Sequence, residues 1–334
     1  FARVVLLDFR QIFSDHPNTA QRIFPNNLTE PQLRIFKELI HYLALYNQRA
    51  VADNPSPSYI YNLITSKIYN HLELASSGKI MSDTELSNLL AVLCIDSQNS
   101  EILDPGCGDG ALLDASYDRL SYLATSSRNP KTHNELLSQV NGIEIDPFLS
   151  QLAAFRLLSK NLIQIEAGTD INILNGDIFS NPRPNRYDVV LMNPPFLRND
   201  NPESPITVAD KRKMRNAIEG QNLEFFVSRA TQPNLYFYFV NYIWHYLREN
   251  GKAGVILMTK FLNNEDGEIL KAFLLDKVEA IISYPRKYFQ EFVVSTVIVI
   301  LKKGNNSDNV LFLRVTDEFL LLSPENLREL LDNP

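Results

Sequence analysis

The sequence has few cysteines, few glycines and no excess of positive charge. Its two cysteines, Cys94 and Cys107, cannot build a disulfide framework or, by themselves, a four-ligand zinc site, so we expect reduced thiols, a cytoplasmic location and no metal centre. No apolar run reaches 18 residues, which predicts no transmembrane helix. A net charge of −7 excludes a generally basic protein that coats nucleic acid, but it does not exclude a local basic groove.

Short apolar runs that alternate with helix-length segments predict an α/β fold with a mainly parallel sheet covered on both faces. Seven such runs occur, at residues 101–104, 140–145, 171–174, 187–192, 253–258, 278–283 and 293–301. The last two runs are separated by a segment too short for a helical crossover. The seventh strand is therefore predicted to lie antiparallel to the sixth.

The composition along the chain predicts three regions. Residues 1–76 have helical spacing with irregular breaks, residues 77–304 carry the α/β alternation, and residues 305–334 read as the start of a truncated C-terminal region with one strand and a helix. The chain begins with Phe1 rather than Met and has no signal-peptide pattern, so we expect it to be a piece of a longer protein. A polar stretch at 197–233 interrupts the alternation and is too long for an ordinary connection, which predicts a functional or a disordered segment.

A cluster of glycines between the first strand and the next helix predicts a ligand site. Asp104, Gly106 and Gly108 lie where the backbone of an open α/β sheet approaches ligands closely. The pattern from Gly106 to Ala111 also satisfies the dinucleotide fingerprint. Asp104, however, favours a ligand with a cationic amino group, and Glu144 at the end of the second strand can accept hydrogen bonds from ribose hydroxyls. These residues favour S-adenosylmethionine over a dinucleotide or a plain capped turn.

Further acidic residues follow later strands. Asp177 comes after the third strand, where its carboxylate can accept a hydrogen bond from an adenine amino group while Ile178 or Phe179 lies against the ring. An aspartate at this place is also typical of a simple turn. Asp146 is predicted to be the N-cap of a helix that begins with Pro147.

The tetrapeptide Asn193-Pro194-Pro195-Phe196 ends the fourth strand. Its two prolines restrict the backbone, so the flanking side chains are held in a fixed geometry. An aromatic amine becomes a nucleophile when acceptors take its two hydrogens, and the Asn193 side-chain carbonyl and the Pro194 main-chain carbonyl are two such acceptors. Phe196 offers a face on which a planar base can stack.

Residues 104–110 and 193–196 together resemble the S-adenosylmethionine-dependent DNA N6-adenine methyltransferases. The order of the motifs resembles the gamma group, which includes the methylase parts of restriction-modification systems, and the resemblance covers about residues 77–304. It implies a seven-stranded, mostly parallel Rossmann-like methyltransferase sheet in a bacterial or archaeal protein. It also implies double-stranded DNA as substrate and a restriction or specificity subunit, or a fused domain, as partner. One departure is that no target recognition domain is recognisable after residue 317.

The resemblance also implies roles for individual residues. Ser82 would lie near the methionine carboxylate of the cofactor, and Ile145 would contact its adenine. The full set of cofactor contacts would be Ser82, Asp104, Gly106, Gly108, Glu144, Ile145, Asp177 and Ile178. The catalytic set would be Asn193, Pro194, Phe196 and Phe289, in which Phe289, with Phe292 as the alternative, supplies a second aromatic ring around the base.

Adenine N6 cannot be reached inside a stacked duplex, so the target base must be flipped out. Basic residues of the polar stretch could meet DNA phosphates: Arg198, Lys211, Arg212, Lys213 and Arg215. Neighbouring acidic residues offset most of this charge, and a solvated loop is the alternative. Our hypothesis is that the stretch is mobile without DNA and becomes ordered on it.

Three other functions remain open at this point. The same tetrapeptide logic serves methyltransferases that act on protein glutamine or on RNA bases. A cofactor-binding module without activity would keep the glycine loop, and a nicotinamide oxidoreductase would not need the tetrapeptide.

Overall fold

A computed structural model of the chain describes residues 84–158, 160, 171–180, 186–195, 207–220, 234–262, 265–283, 296–304 and 310–314. The helices are α1 (Thr84–Cys94), α2 (Ala111–Thr125), α3 (His133–Ser138), α4 (Pro147–Leu158), α5 (Val208–Glu219), α6 (Leu235–Tyr246) and α7 (Glu265–Leu274), with short 3-10 helices at Ile178–Ser180 and Thr259–Leu262. None of these helices is long and apolar enough to cross a bilayer. The helical region predicted at 1–76 lies outside the described residues.

Eight strands in the described part of the chain form one sheet. They are β1 (Ile102–Asp104), β2 (Val140–Glu144), β3 (Asn172–Asn175), β4 (Tyr187–Met192), β5 (Leu247–Met258), β6 (Val278–Ser283), β7 (Thr296–Lys302) and β8 (Leu311–Arg314). Their order across the sheet is β3-β2-β1-β4-β5-β7-β6-β8. The predicted α/β class is confirmed.

Within this sheet β7 is antiparallel to both of its neighbours, and all other pairs are parallel. The antiparallel seventh strand predicted from the short connection is therefore confirmed. The count of seven strands is one short, because β8 pairs with β6 in continuous register from Ala280–Leu311 to Ser283–Arg314. The sequence pattern places β8 in the C-terminal region, whereas the structure places it in the sheet. The domain boundaries after residues 76 and 304 stay predictions.

The sheet is buried on both faces, as continuous apolar strands require. In β7, Ile298 and Ile300 face a core shared with α1, α2, α3 and α4. Val297 and Val299 face the opposite core, which is shared with α5, α6 and α7. Alternate residues of one strand thus reach different helical layers. The result is a rigid platform whose carboxyl edge carries the loops after β1, β2, β3 and β4.

The start of α4 shows how local sequence fixes one of these loops. The Asp146 Oδ1 atom accepts a hydrogen bond from the Leu149 backbone N–H at 3.2 Å, and Pro147 is the first helical residue. The predicted N-cap is confirmed. This cap turns the chain sharply after β2, so that Glu144 stays at the edge of the sheet.

Candidate active site at the carboxyl edge of the sheet

The glycine loop between β1 and α2 owes its shape to two glycines with positive φ. Gly108 has φ of 53° and Gly110 has φ of 86°. A Cβ atom at Gly110 would lie 2.9 Å from the Ala153 Cα atom, so this glycine lets α2 approach α4 closely. A Cβ atom at Gly108 would meet nothing within 4 Å. The loop therefore packs against α4 at Gly110, whereas its backbone at Gly108 borders open space.

Asp104, at the end of β1, is only 1% exposed. Its Oδ1 atom accepts a hydrogen bond from the Gly106 N–H at 3.2 Å. Burial raises the pKa of the Asp104 carboxyl to about 8; the Gly106 N–H opposes this rise, and the negative charges of Glu144 and Asp109 add to it. A cationic group beside Asp104 would favour the ionised form. The carboxyl is thus held ready for a positively charged ligand.

Glu144, at the end of β2, is held by two backbone amides. Its Oε2 atom accepts from the Gly108 N–H and its Oε1 atom from the Asp146 N–H, both at 2.8 Å. A carboxylate oxygen can accept more than one hydrogen bond, so the group keeps capacity for hydroxyl donors of a ligand. The next residue, Ile145, is 69% exposed, which leaves a large apolar side chain at the same edge.

The turn after β3 is built around Asp177. Its Oδ1 atom accepts from the Phe179 N–H at 2.9 Å and its Oδ2 atom from the Ser180 hydroxyl at 3.2 Å. Asp177 thus makes the simple turn contacts that the sequence analysis gave as an alternative, and its adenine contact stays a prediction. Ile178 is buried in the core with Phe179, so it has little surface for its predicted contact with a cofactor.

The tetrapeptide begins beside the glycine loop. A Cβ atom at Gly106 would lie 3.2 Å from the Cε atom of Met192, the residue before Asn193. Asn193 is half-buried, with its Oδ1 atom shielded from solvent, and Pro194 is buried. The structure therefore brings the acidic glycine loop and the start of the tetrapeptide together. The predicted residues Ser82, Phe196, Arg198 and Phe289 lie outside the described residues.

A family model described as N-6 DNA Methylase matches residues 58–333 of the chain. The chain belongs to this family. This chain is 24% identical over 279 residues to the "Type I restriction enzyme MpnII methylase subunit" of Mycoplasma pneumoniae, an alignment that covers 77% of this chain and 47% of the relative. The chain thus spans about half the length of this curated relative.

Solved structures share the fold of this chain at lower identity. The type IIG restriction endonuclease BpuSI superposes with a TM-score of 0.64 at 19% identity, covering 82% of this chain and 31% of that one. A putative class I S-adenosylmethionine-dependent methyltransferase from Listeria monocytogenes superposes with a TM-score of 0.58 at 18% identity, covering 98% of each chain. At these identities the likeness concerns the fold alone.

The predicted basic cluster divides between two faces of α5. Lys211 and Arg215 are 5% and 8% exposed, whereas Arg212 and Lys213 point outward. The prediction that all four could meet phosphates needs correction, because a helical spacing of four residues directs Lys211 and Arg215 inward. Burial also lowers the pKa of Lys211. Within the polar stretch, Val208–Glu219 form this helix, and the hypothesis that the stretch is mobile without DNA and becomes ordered on it stays a prediction.

An ion pair that no local sequence pattern predicts shapes the glycine loop. Arg156 of α4 lies 3.3 Å from the Asp109 carboxylate, and both residues are buried. Asp109 also accepts a hydrogen bond from the Ala111 N–H at 3.4 Å, at the start of α2. An acidic residue inside the loop was visible in the sequence. Its partner, 47 residues away, carries no local signal.

Proposed function

We propose that this chain is the methylating part of a restriction-modification enzyme, which transfers a methyl group from S-adenosylmethionine to N6 of a flipped adenine in double-stranded DNA. One observation carries the proposal: Gly106 of the acidic loop lies against Met192, directly before the Asn193-Pro194 turn. The proposed cofactor site and the proposed pair of amine acceptors would thus share one edge of the sheet. The family match supports this function over the glutamine, RNA and nicotinamide alternatives.

The residues at the carboxyl edge fit S-adenosylmethionine. Open space above Gly108 leaves room for a ligand against the backbone. The buried Asp104 carboxyl, whose pKa is raised to about 8, would be stabilised in its ionised form by the amino group of the methionine moiety. Glu144 would accept hydrogen bonds from the ribose hydroxyls, and the exposed Ile145 would cover the adenine ring.

The reaction requires a nucleophilic amine, which this chain would supply by positioning. The Asn193 Oδ1 atom and the Pro194 carbonyl oxygen would accept the two N6 hydrogens, which localises the nitrogen lone pair. When bound, S-adenosylmethionine supplies a methyl group activated by its sulfonium. Because the methyl group is already activated, the residues contribute mainly orientation and hydrogen-bond acceptance, and the proton released from N6 after methyl transfer would pass to water.

Access to the base requires that it leave the duplex. We infer that Phe196 and Phe289 stack on the two faces of the flipped adenine, each contact offsetting about 1–3 kcal/mol of the unstacking cost. Sequence recognition would come from a specificity subunit or a further domain, as in restriction-modification enzymes. Outward-facing Arg212 and Lys213 would contact phosphates.

The direct test uses the full-length protein, unmethylated duplex DNA and S-adenosylmethionine, with N6-methyladenine measured by mass spectrometry. We expect N6-methyladenine to form and Asn193→Ala to lower the rate by about 100-fold or more, as loss of a positioned catalytic polar group does. Asn129→Ala, an exposed site on the opposite edge, is the matched control and should keep the parent rate. Methylation of RNA or protein but not DNA, or unchanged activity in Asn193→Ala, would refute the proposal.

A further inference from the structure

Helix α5 presents two chemically different faces. Thr207 and Asp210 cap its start reciprocally: the Thr207 Oγ1 atom accepts from the Asp210 N–H at 3.2 Å, and Asp210 accepts from the Thr207 N–H at 2.9 Å. Its outer face carries Arg212 and Lys213, and the Lys213 side chain is 82% exposed. The helix is therefore well formed at its start and basic on the outside.

The inner face of α5 buries two cations. Lys211, Arg215 and Ile218 lie at helical spacing and are all buried where α5 packs on α6. A face used only for anchoring would be apolar, since a buried cation costs free energy unless it is hydrogen-bonded. Arg215 donates a hydrogen bond to the Tyr238 hydroxyl of α6. This directional bond fixes the position of α5 along α6, which apolar packing alone would not do.

Helix α6 also holds the Asp177 turn. The Phe179 ring packs on Phe239 and Tyr242, with ring centroids 5.2 and 5.0 Å away. The Tyr246 hydroxyl donates to the Ile178 carbonyl oxygen at 3.3 Å. Helix α5 contacts the same turn directly. The turn that carries Asp177 is thus enclosed by both helices.

From this arrangement we propose that Arg215 is a positioning residue, which couples DNA contact on the outer face of α5 to cofactor binding at the Asp177 turn through its bond to Tyr238. The inference rests on the proposed function, because it takes duplex DNA and S-adenosylmethionine as the two ligands. It goes beyond that function by assigning a role to residues that touch neither ligand.

The coupling follows from linkage between binding equilibria. Phosphates on Arg212 and Lys213 favour the docked position of α5. When α5 is packed on α6, it holds the Asp177 turn against both helices, and this position of the turn raises the affinity for the cofactor. By reciprocity, bound cofactor raises DNA affinity by the same factor.

Calorimetric titration of the full-length protein with S-adenosylhomocysteine, with and without saturating unmethylated duplex DNA, measures this coupling. We expect DNA to tighten binding by about fivefold or more in the parent, the lower range of typical couplings. In Tyr238→Phe and Arg215→Met, DNA should tighten S-adenosylhomocysteine binding by less than about twofold. The affinity of these variants for S-adenosylhomocysteine without DNA should differ from that of the parent by less than about twofold. The double variant should lose no more than either single variant, because both remove one bond.

The matched control is Tyr117→Phe, which removes the buried phenol bond to the His133 Nδ1 atom on the opposite face of the sheet. It should lower the melting temperature and leave the coupling unchanged. No coupling in the parent, coupling retained in Tyr238→Phe, or an equal loss in Tyr117→Phe would overturn the inference. If Arg215→Met fails to fold, Tyr238→Phe decides the question, because it removes the same bond and leaves the buried arginine in place. A parent that methylates adenine without coupling refutes this inference alone, whereas a parent without adenine methylation refutes the proposed function.

Discussion

The two edges of the sheet treat their charged residues differently. At the amino edge, Lys252 lies 3.5 Å from Asp96 and 3.3 Å from Glu279, and Arg248 lies 3.1 Å from Asp188. At the carboxyl edge, backbone amides hold Asp104 and Glu144. An ion pair cancels charge within the chain, whereas an amide only orients a carboxyl group, and burial keeps Asp104 mostly protonated until the pH approaches its pKa of about 8. The amino edge therefore neutralises its charges within the chain, whereas Asp104 at the carboxyl edge would take up its charge when a cationic ligand binds beside it.

The largest expected effect of this difference is on cofactor affinity. Asp104→Asn keeps the size of the side chain and an acceptor for the Gly106 N–H, but removes the charge that faces the cationic amino group. We expect calorimetry at pH 8.5, above the Asp104 pKa of about 8, to show binding about 100-fold weaker, the scale of a buried charge-assisted contact.

Asp188→Asn tests the other edge by the same chemical change. Its carboxylate accepts from the Glu101 N–H at 2.8 Å and pairs with Arg248. Cofactor affinity in this variant should stay within about twofold of the parent, since the site lies at the far edge of the sheet. Equal losses in the two variants would erase the distinction between the edges.

The second expected effect is on stability. Asp104→Asn weakens cofactor binding, but it is expected to stabilise the folded chain relative to the parent as pH rises. The pKa of Asp104 is about 8 in the folded chain and near 3.8 in the unfolded chain, so between these values the folded state holds a proton that the unfolded state has lost. The stabilisation from this proton is complete below the unfolded value and is lost as pH rises through about 8. The parent should therefore lose stability relative to Asp104→Asn, by about 2 kcal/mol between pH 6 and pH 8.

Urea unfolding of both proteins at the two pH values measures this difference. Subtracting the variant from the parent removes the contribution of all other titrating groups. A difference that stays constant with pH would mean that Asp104 is ionised throughout, and the contrast between the edges would then rest on geometry alone. If Asp104→Asn gains stability and loses cofactor affinity, the role of Asp104 is to bind the ligand rather than to stabilise the fold.

Local signals made most of the fold predictable and left specific pairings open. The glycine loop, the Asp146 cap and the antiparallel β7 depend on neighbouring residues or on connection length, so the sequence predicts them. The pair Asp109–Arg156 joins residues far apart in the chain, and no local pattern marks it. Likewise, β8 joins the sheet through pairing with β6, which a reading of segment order cannot locate.

The basic cluster illustrates the same limit within one helix. Composition identified Lys211, Arg212, Lys213 and Arg215 as cations near the tetrapeptide, but not which of them face solvent. The burial of Lys211 and Arg215 depends on the position of α6, which the sequence does not specify. The presence of these cations was thus predictable from the sequence, whereas the direction in which each side chain points was not.

The smallest expected effect concerns DNA and extends the contrast between charge cancelled inside the chain and charge left for a ligand. Arg212→Gln removes one outward cation from α5. Filter binding of full-length protein to duplex DNA should show an affinity about threefold weaker at moderate salt. The slope of log affinity against log salt should fall by about 1, because one phosphate contact releases about one counterion. Arg128→Gln, an exposed arginine after α2 at the amino edge, is the matched control and should change neither quantity. If both variants shift the salt slope equally, DNA responds to the overall charge of the protein and not to α5, and the carboxyl edge then has no special part in holding the duplex.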